Sequence, residues 1–159
     1  MNEFTHMDEK GRVRMVDVGD KDVTDRKARA GGRVSMNGET FDKVAANSMR
    51  KGNVLETARI AGILAAKQTH ALIPMCHPVS IRHVQIDFHM DREAGAIQVE
   101  ALVRASDRTG VEMEALTAVA VAALTIYDMC KSHDRSMVIS DISLLEKAGG
   151  KSGHFIRGN

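Results

Sequence analysis

At 159 residues, with 43% hydrophobic and 27% charged side chains, the chain has the balance of one globular domain long enough to bury a core. A formal charge of +1 excludes a global electrostatic pull toward nucleic acid or a membrane surface. With no Trp, one Tyr and ten Met, the core must come from Ala, Val, Ile, Leu and Met, and base stacking has few rings to use.

The first fifteen residues are polar and without periodicity, the pattern of a flexible tail on a single domain spanning 1–159. Eight basic residues lie between Lys10 and Arg33, interleaved with Asp17, Asp20, Asp22 and Asp25. That stretch reads either as a solvated, mixed-charge arm or as a segment that grips an anion. RKARAGGRVSM, around residues 27 to 36, is a Gly-interrupted strand, and GETFDKVAAN is a short helix. NVLETARIAGILAAKQTHAL is the first strong helix, with Asn53 as N-cap and Glu56 at the capping-box position. The only two prolines then bracket PMCHP, residues 74 to 78. Each proline biases its predecessor toward extended geometry, so Met75 and His77 are expected on one side and Cys76 on the other.

VQIDFHM and IQVEALVRA alternate with period two and flank the turn DREAG, which gives a β-hairpin with one wet face. GVEMEALTAVAVAALTIYDMC is a helix apolar almost all round, hence buried on more than one side. SMVISDISLLEKAGG closes with a strand and a glycine stop. The order βαββαβ is ferredoxin-like: an α+β fold with an antiparallel sheet and both main helices on one face. No run is expected to be long or apolar enough to cross a membrane, and no signal-peptide core is apparent. Two cysteines without a partner pattern read as reduced thiols in a cytoplasmic protein.

Six constellations could carry chemistry. Cys76-His77 and Cys130-x-x-His133 number enough ligands for zinc, but their spacing fits no known clip, so no metal is expected. Cys76 beside His77 is a poor nucleophile–base pair, because sequence neighbours rarely face each other productively. GGKSG lacks the first glycine of a Walker A loop, where Leu145 stands, yet a flexible cationic strip can still touch an anion. In YDMCK, Asp128 and Lys131 share a helical face and can pair, in a partly buried place that would suit acid–base work. Glu112 and Glu114 either complement a helix N-terminus or accept from the donor edge of a guanine-like ring. Lys51 stands just before the Asn53 cap, where a cation and free backbone N–H groups make an anion site.

The segments MVDVGDKDVTDRKARA, KGNVLETARIAGILAAKQTHALIPMCHPVSI, TGVEMEALTAVAVAALTIYDMCK and LLEKAGGKSG resemble the cyclic pyranopterin monophosphate synthase family of molybdenum-cofactor biosynthesis, from Met15 to Gly153. Arg50 and Asn53 depart from the Lys and Asp more usual there. The resemblance implies a ferredoxin-like subunit in a homohexamer, a trimer of dimers with active sites at subunit interfaces. It implies conversion of (8S)-3′,8-cyclo-7,8-dihydroguanosine 5′-triphosphate to cyclic pyranopterin monophosphate with release of pyrophosphate, a lyase reaction without a redox cofactor. Phosphate chemistry leaves room for magnesium carried with the triphosphate. The family's substrate-contact positions fall on Met75, Cys76, His77, Met113 and Glu114. Cations for the departing pyrophosphate would be Lys51, Lys131, Lys21 and Arg26. Asp128 paired with Lys131 would move protons during ring rearrangement. The implied partners are this nucleotide-derived small molecule and further copies of the chain, with neither nucleic acid nor membrane. The alternative reading is a non-catalytic ferredoxin-like module that binds a nucleotide or a regulatory partner.

Overall fold

A computed structural model describes residues 10–158; the part of the expected tail before residue 10 lies outside the described residues. Strand β1, Thr24–Ser35, buries Ala28, Ala30, Gly32 and Val34 on one face, while Lys27, Arg29 and Arg33 emerge on the other. Helix α1, Gly38–Ala45, starts where the Asn37 side chain accepts from the Thr40 N–H at 2.8 Å. Asp134, buried near the far end of the chain, accepts from the Asn37 N–H at 2.8 Å and ties that cap down.

Helix α2, Val54–Lys67, begins as its sequence directs: Asn53 accepts from the Glu56 N–H at 3.1 Å. It does not run on to Leu72. The Thr69 hydroxyl donates to the carbonyls of Ala65 and Ala66, competing for acceptors that a continuous helix would use. The chain breaks at Gln68 and resumes as the single turn α3, Thr69–Leu72. Strands β2, Ile81–Asp91, and β3, Ala96–Asp107, form the expected hairpin, closed through a left-handed Gly95 with φ +56°. Helix α4, Glu112–Cys130, and strand β4, Val138–Ala148, follow. A two-residue strand β5, Phe155–Ile156, was not foreseen, because two residues carry no readable period.

The sheet order is β2-β3-β1-β4-β5, with every neighbouring pair antiparallel. That is the expected ferredoxin-like arrangement with one extra edge strand, and α2 and α4 pack side by side on one of its faces. The expectation that no run could cross a membrane needs correction. The 19 residues of α4 are long and apolar enough by length and composition. Their setting is a protein core: Ala115, Ala118, Val119, Ala122, Ala123 and Ile126 are fully buried against α2 and the sheet.

The other sheet face is held by charge. Arg29 Nη2 lies 2.5 Å from Glu100 Oε1, and Lys27 Nζ lies 2.9 Å from Glu146 Oε1. Lys27, with His154 next, holds the Glu146 carboxyl down at about 2. His154 sits 3.1 Å from Glu146, and Arg157 donates its N–H to the Leu145 carbonyl. These contacts fasten the C-terminal segment onto β4.

Candidate active site

A two-lobed cleft opens at the N-terminal end of α4. Its first lobe, about 310 Å³, is lined by Val16, Val18, Met75, Cys76, His77, Val79, Met113 and Glu114. The PMCHP segment enters it in a form the prolines alone did not reveal. Pro74 and Met75 form the centre of a turn in which the Cys76 N–H donates to the Ile73 carbonyl at 3.0 Å. Proline suits the second position of such a turn because its φ is already set. The turn replaces the expected extended strand, so Met75, Cys76 and His77 all line the same lobe instead of dividing between two sides.

Glu114 is buried in this lobe with 4% of its surface exposed. Burial pushes its carboxyl up to about 7, and the nearby charges of Glu112 and Asp107 add to the rise. Near neutral pH it therefore exchanges a proton and can act as donor or acceptor toward a ring N–H or carbonyl. Cys76 is pushed the other way for a nucleophile: burial, then the Glu114 charge, raises its thiol. Cys130 is buried, and burial lifts its thiol to about 11. Among the described residues, no group of three or more His, Cys, Asp or Glu is placed to hold a metal ion.

The raised Glu114 value makes a stability prediction. The folded form holds its proton to about 7, whereas the unfolded chain releases it near the ordinary 4.5, so the wild type loses stability as pH rises between those values. Glu114→Gln should remove that dependence. Thermal melts of the two proteins should coincide near pH 4, then separate with the variant higher, and the gap should stop growing above pH 7 to 8. Parallel melting curves across the whole range would show that Glu114 titrates in the folded protein as it does in the unfolded chain.

The second lobe, about 520 Å³, is cationic: Lys21, Arg26, Arg108, Lys147 and Lys151 line it, opposed by Asp22 and Glu112. Lys21, Thr109, Gly110 and Glu112 line both lobes, which makes the cleft continuous. Arg26 is aimed by two backbone acceptors, Asp107 O at 3.2 Å from Nε and Arg108 O at 3.1 Å from Nη2. Gly150, at φ +73°, lies so close that a Cβ there would overlap the guanidinium. The GGKSG strip is thus a wall of an anion-shaped lobe, although it is not a Walker loop. The basic arm divides: Lys21 and Arg26 turn to the cleft, while Lys27 and Arg29 join the sheet-face network.

Sequence reasoning did not single out Arg108, Thr109, Gly110 and Lys147. One signal was available. RTG stands just before Val111, the N-cap of α4, which supplies no side-chain cap, and the positive end of that helix lies at the junction of the lobes.

The third group lies elsewhere. Lys131 Nζ is 2.7 Å from Asp128 Oδ1, and Lys51 Nζ is 3.1 Å from Asp128 Oδ2 and 2.8 Å from the Asp128 carbonyl. Lys131, then Lys51, hold the Asp128 carboxyl below the ordinary range. Two expectations change here. Lys51 reaches across to the C-terminus of α4, where a cation favours the helix dipole, instead of standing over the N-terminus of α2. The group is also exposed: the side chains of Lys51, Asp128 and Lys131 are 46%, 58% and 52% accessible. Asp128 is fourteen residues along α4 from Glu114, about 21 Å at 1.5 Å per residue. A single chain therefore carries the ten expected residues in two separate clusters.

A model of the MoaC family matches residues 15–150. The chain belongs to the MoaC family. It is 60% identical to a cyclic pyranopterin monophosphate synthase of Desulforapulum autotrophicum over 98% of this chain and 96% of that relative. The protein of the same name from Desulfatibacillum aliphaticivorans is also 60% identical, over 98% of each chain. That of Roseiflexus sp. strain RS-1 is 58% identical over 98% of this chain and 99% of its own. The MoaC match takes in both lobes apart from Lys151 and Ser152, and all of the Lys51–Asp128–Lys131 group.

Proposed function

We propose that this chain is a cyclic pyranopterin monophosphate synthase of molybdenum-cofactor biosynthesis. It would convert (8S)-3′,8-cyclo-7,8-dihydroguanosine 5′-triphosphate to cyclic pyranopterin monophosphate and release pyrophosphate, as a phosphorus–oxygen lyase. One observation carries the reading: a compact lobe with His77 and Glu114 at its wall runs without a break into a lobe lined by five cations. A purine-derived ring joined to a triphosphate has that same division of shape and charge. Lys21 and Arg26 would hold the phosphates and offset charge on the departing oxygens. Glu114 would accept from the ring's amide and amino N–H groups, with His77, Met75, Cys76 and Met113 around it.

Asp128, Lys131 and Lys51 would complete the site from a neighbouring subunit, in a homohexamer built as a trimer of dimers. Two features support this. The group is about 21 Å from the cleft of its own chain. Exposed apolar side chains also lie on these two helices: Leu124 one turn before Asp128 on the same face of α4, and Ile60 and Leu64 on α2. Ile60, Leu64 and Leu124 are 59%, 55% and 57% accessible, apolar area that a second copy would remove from water. Lys131 next to the Asp128 carboxylate supplies a proton donor and acceptor within 2.7 Å of each other.

The donor set of the cleft is chiefly cationic and suits an anion better than a resident metal. Magnesium, where used, would arrive as the counter-ion of the triphosphate. Reduced thiols at Cys76 and Cys130 fit a cytoplasmic setting. Incubating the purified protein with the cyclised triphosphate should release one pyrophosphate per pyranopterin formed. Binding of that triphosphate without turnover would instead support the non-catalytic module.

A further inference from the structure

We infer that the basic groove across β1, β2 and β3, behind Arg26, is a second anion site for an inorganic polyphosphate of the pyrophosphate class. The groove holds a cavity of about 400 Å³ on the far side of Arg26 from the cationic lobe. Its placement follows from strand register. Lys27 on β1 faces Arg104 on β3, and Arg104 faces His83 on β2, so three basic residues form one row across three strands. Side chains paired this way lie on the same face about 5 Å apart, where like charges directly opposite destabilise the sheet.

The neighbouring charges on the same face are handled differently. Arg29 is satisfied by Glu100 and Glu146, and Lys27 reaches diagonally to Glu146. Arg104 is not: among the described residues it forms no ion pair or side-chain hydrogen bond. Arg82 stands at the register shift between Ile81 and His83, and its only ion pair among the described residues is to Asp25 at 3.9 Å, with both side chains widely exposed. Asp25 is also the only carboxylate in the cavity wall, against Arg26, Lys27, Arg82 and Arg104. Arg104 and Arg82 thus stand in a concave wall with little carboxylate to offset them, and an anion there would supply that charge.

The lining also selects the class of anion. Guanidinium forks match phosphate oxygens in pairs, and His83 adds a ring N–H. The remaining wall is Ala105, Ala148 and Gly149, with no Phe, Tyr or Trp on which a base could stack. The space exceeds what a single orthophosphate fills. A naked, elongated polyphosphate fits this chemistry better than a nucleotide.

The test is titration calorimetry of the full-length protein with inorganic pyrophosphate at low salt. The wild type should bind two pyrophosphates per chain, one in the cationic lobe and one in the groove. Arg104→Gln should weaken one of them at least tenfold and leave the other, while Lys21→Ala should do the reverse. Because Arg104→Gln relieves a like-charge pairing, its melting temperature should equal or exceed that of the wild type. Arg82→Gln, at an exposed site, gives a second reading if the first variant folds poorly, and should also weaken the groove site. A single site per chain, or two sites unchanged in both groove variants, would overturn the inference. So would equal affinity of the groove for guanosine and for pyrophosphate.

Discussion

Lys131→Ala and Asp128→Asn are expected to fold and assemble as the wild type yet lose pyranopterin formation by about 100-fold or more, the range of a missing acid–base group. Both side chains are exposed in the protomer, so neither substitution opens a cavity or strands a buried charge. Circular dichroism and sedimentation should therefore match the wild type while pyrophosphate release does not. Full turnover by either variant would remove that residue from the mechanism. A mixing experiment carries the idea further. Lys131→Ala and Glu114→Gln alter clusters about 21 Å apart on one helix, so each should be inactive alone. If a site combines one cluster from each of two subunits, co-assembled mixtures regain roughly a quarter of the wild-type sites by random pairing. No recovery from verified mixed oligomers would show that each site draws both clusters from one chain.

Gly62→Ala should cost stability far beyond its one added methyl. Gly62 lies on α2 where that helix crosses α4, and a Cβ there would sit 2.9 Å from the Ala118 carbonyl and 3.3 Å from Ala122 Cβ, and would overlap Ile86 Cδ1. The side chain of Ile86 can turn aside, but the Ala118 carbonyl belongs to helix backbone and moves only if α4 does. Overpacking of this kind costs about 1–3 kcal/mol, against a gain of about 1 kcal/mol expected from helix propensity alone. The melting temperature should fall by roughly 5 °C. Gly38→Ala is the matched control, since its Cβ would meet nothing within 4 Å. That variant should melt at or slightly above the wild type. A stabilised Gly62→Ala protein would mean that the two helices have room to separate.

Much of the fold is legible in the sequence because local rules act alone there. Asn53 caps α2 because an acceptor side chain three residues before a free N–H needs no distant partner. The β2–β3 hairpin follows from period-two alternation around a turn with a glycine able to take positive φ. The legible elements end where a side chain interferes with the backbone. Thr69 interrupts a pattern that reads as continuous helix, because its hydroxyl finds carbonyls that the period does not record. In PMCHP the prolines set φ correctly, but the direction in which the chain turns depends on a bond from the Cys76 N–H to the Ile73 carbonyl.

The candidate site divides along the same line. From sequence alone come the charged residues at the two ends of α4 and the pairing of Asp128 with Lys131. These are settled by spacing along one element, where geometry is nearly fixed. Only the tertiary structure brings Lys21, Thr109, Gly110, Lys147 and the GGKSG strip to one cleft, because those residues meet through pairing of strands 61 to 121 positions apart in the chain. Only burial decides that Glu114 keeps its proton to about 7, since removing a carboxylate from water is a property of its surroundings and not of its neighbours in sequence. The same holds for the separation of the two clusters: the rise of a helix makes it computable, but only the structure shows that α4 runs as one helix from Glu112 to Cys130 through the core.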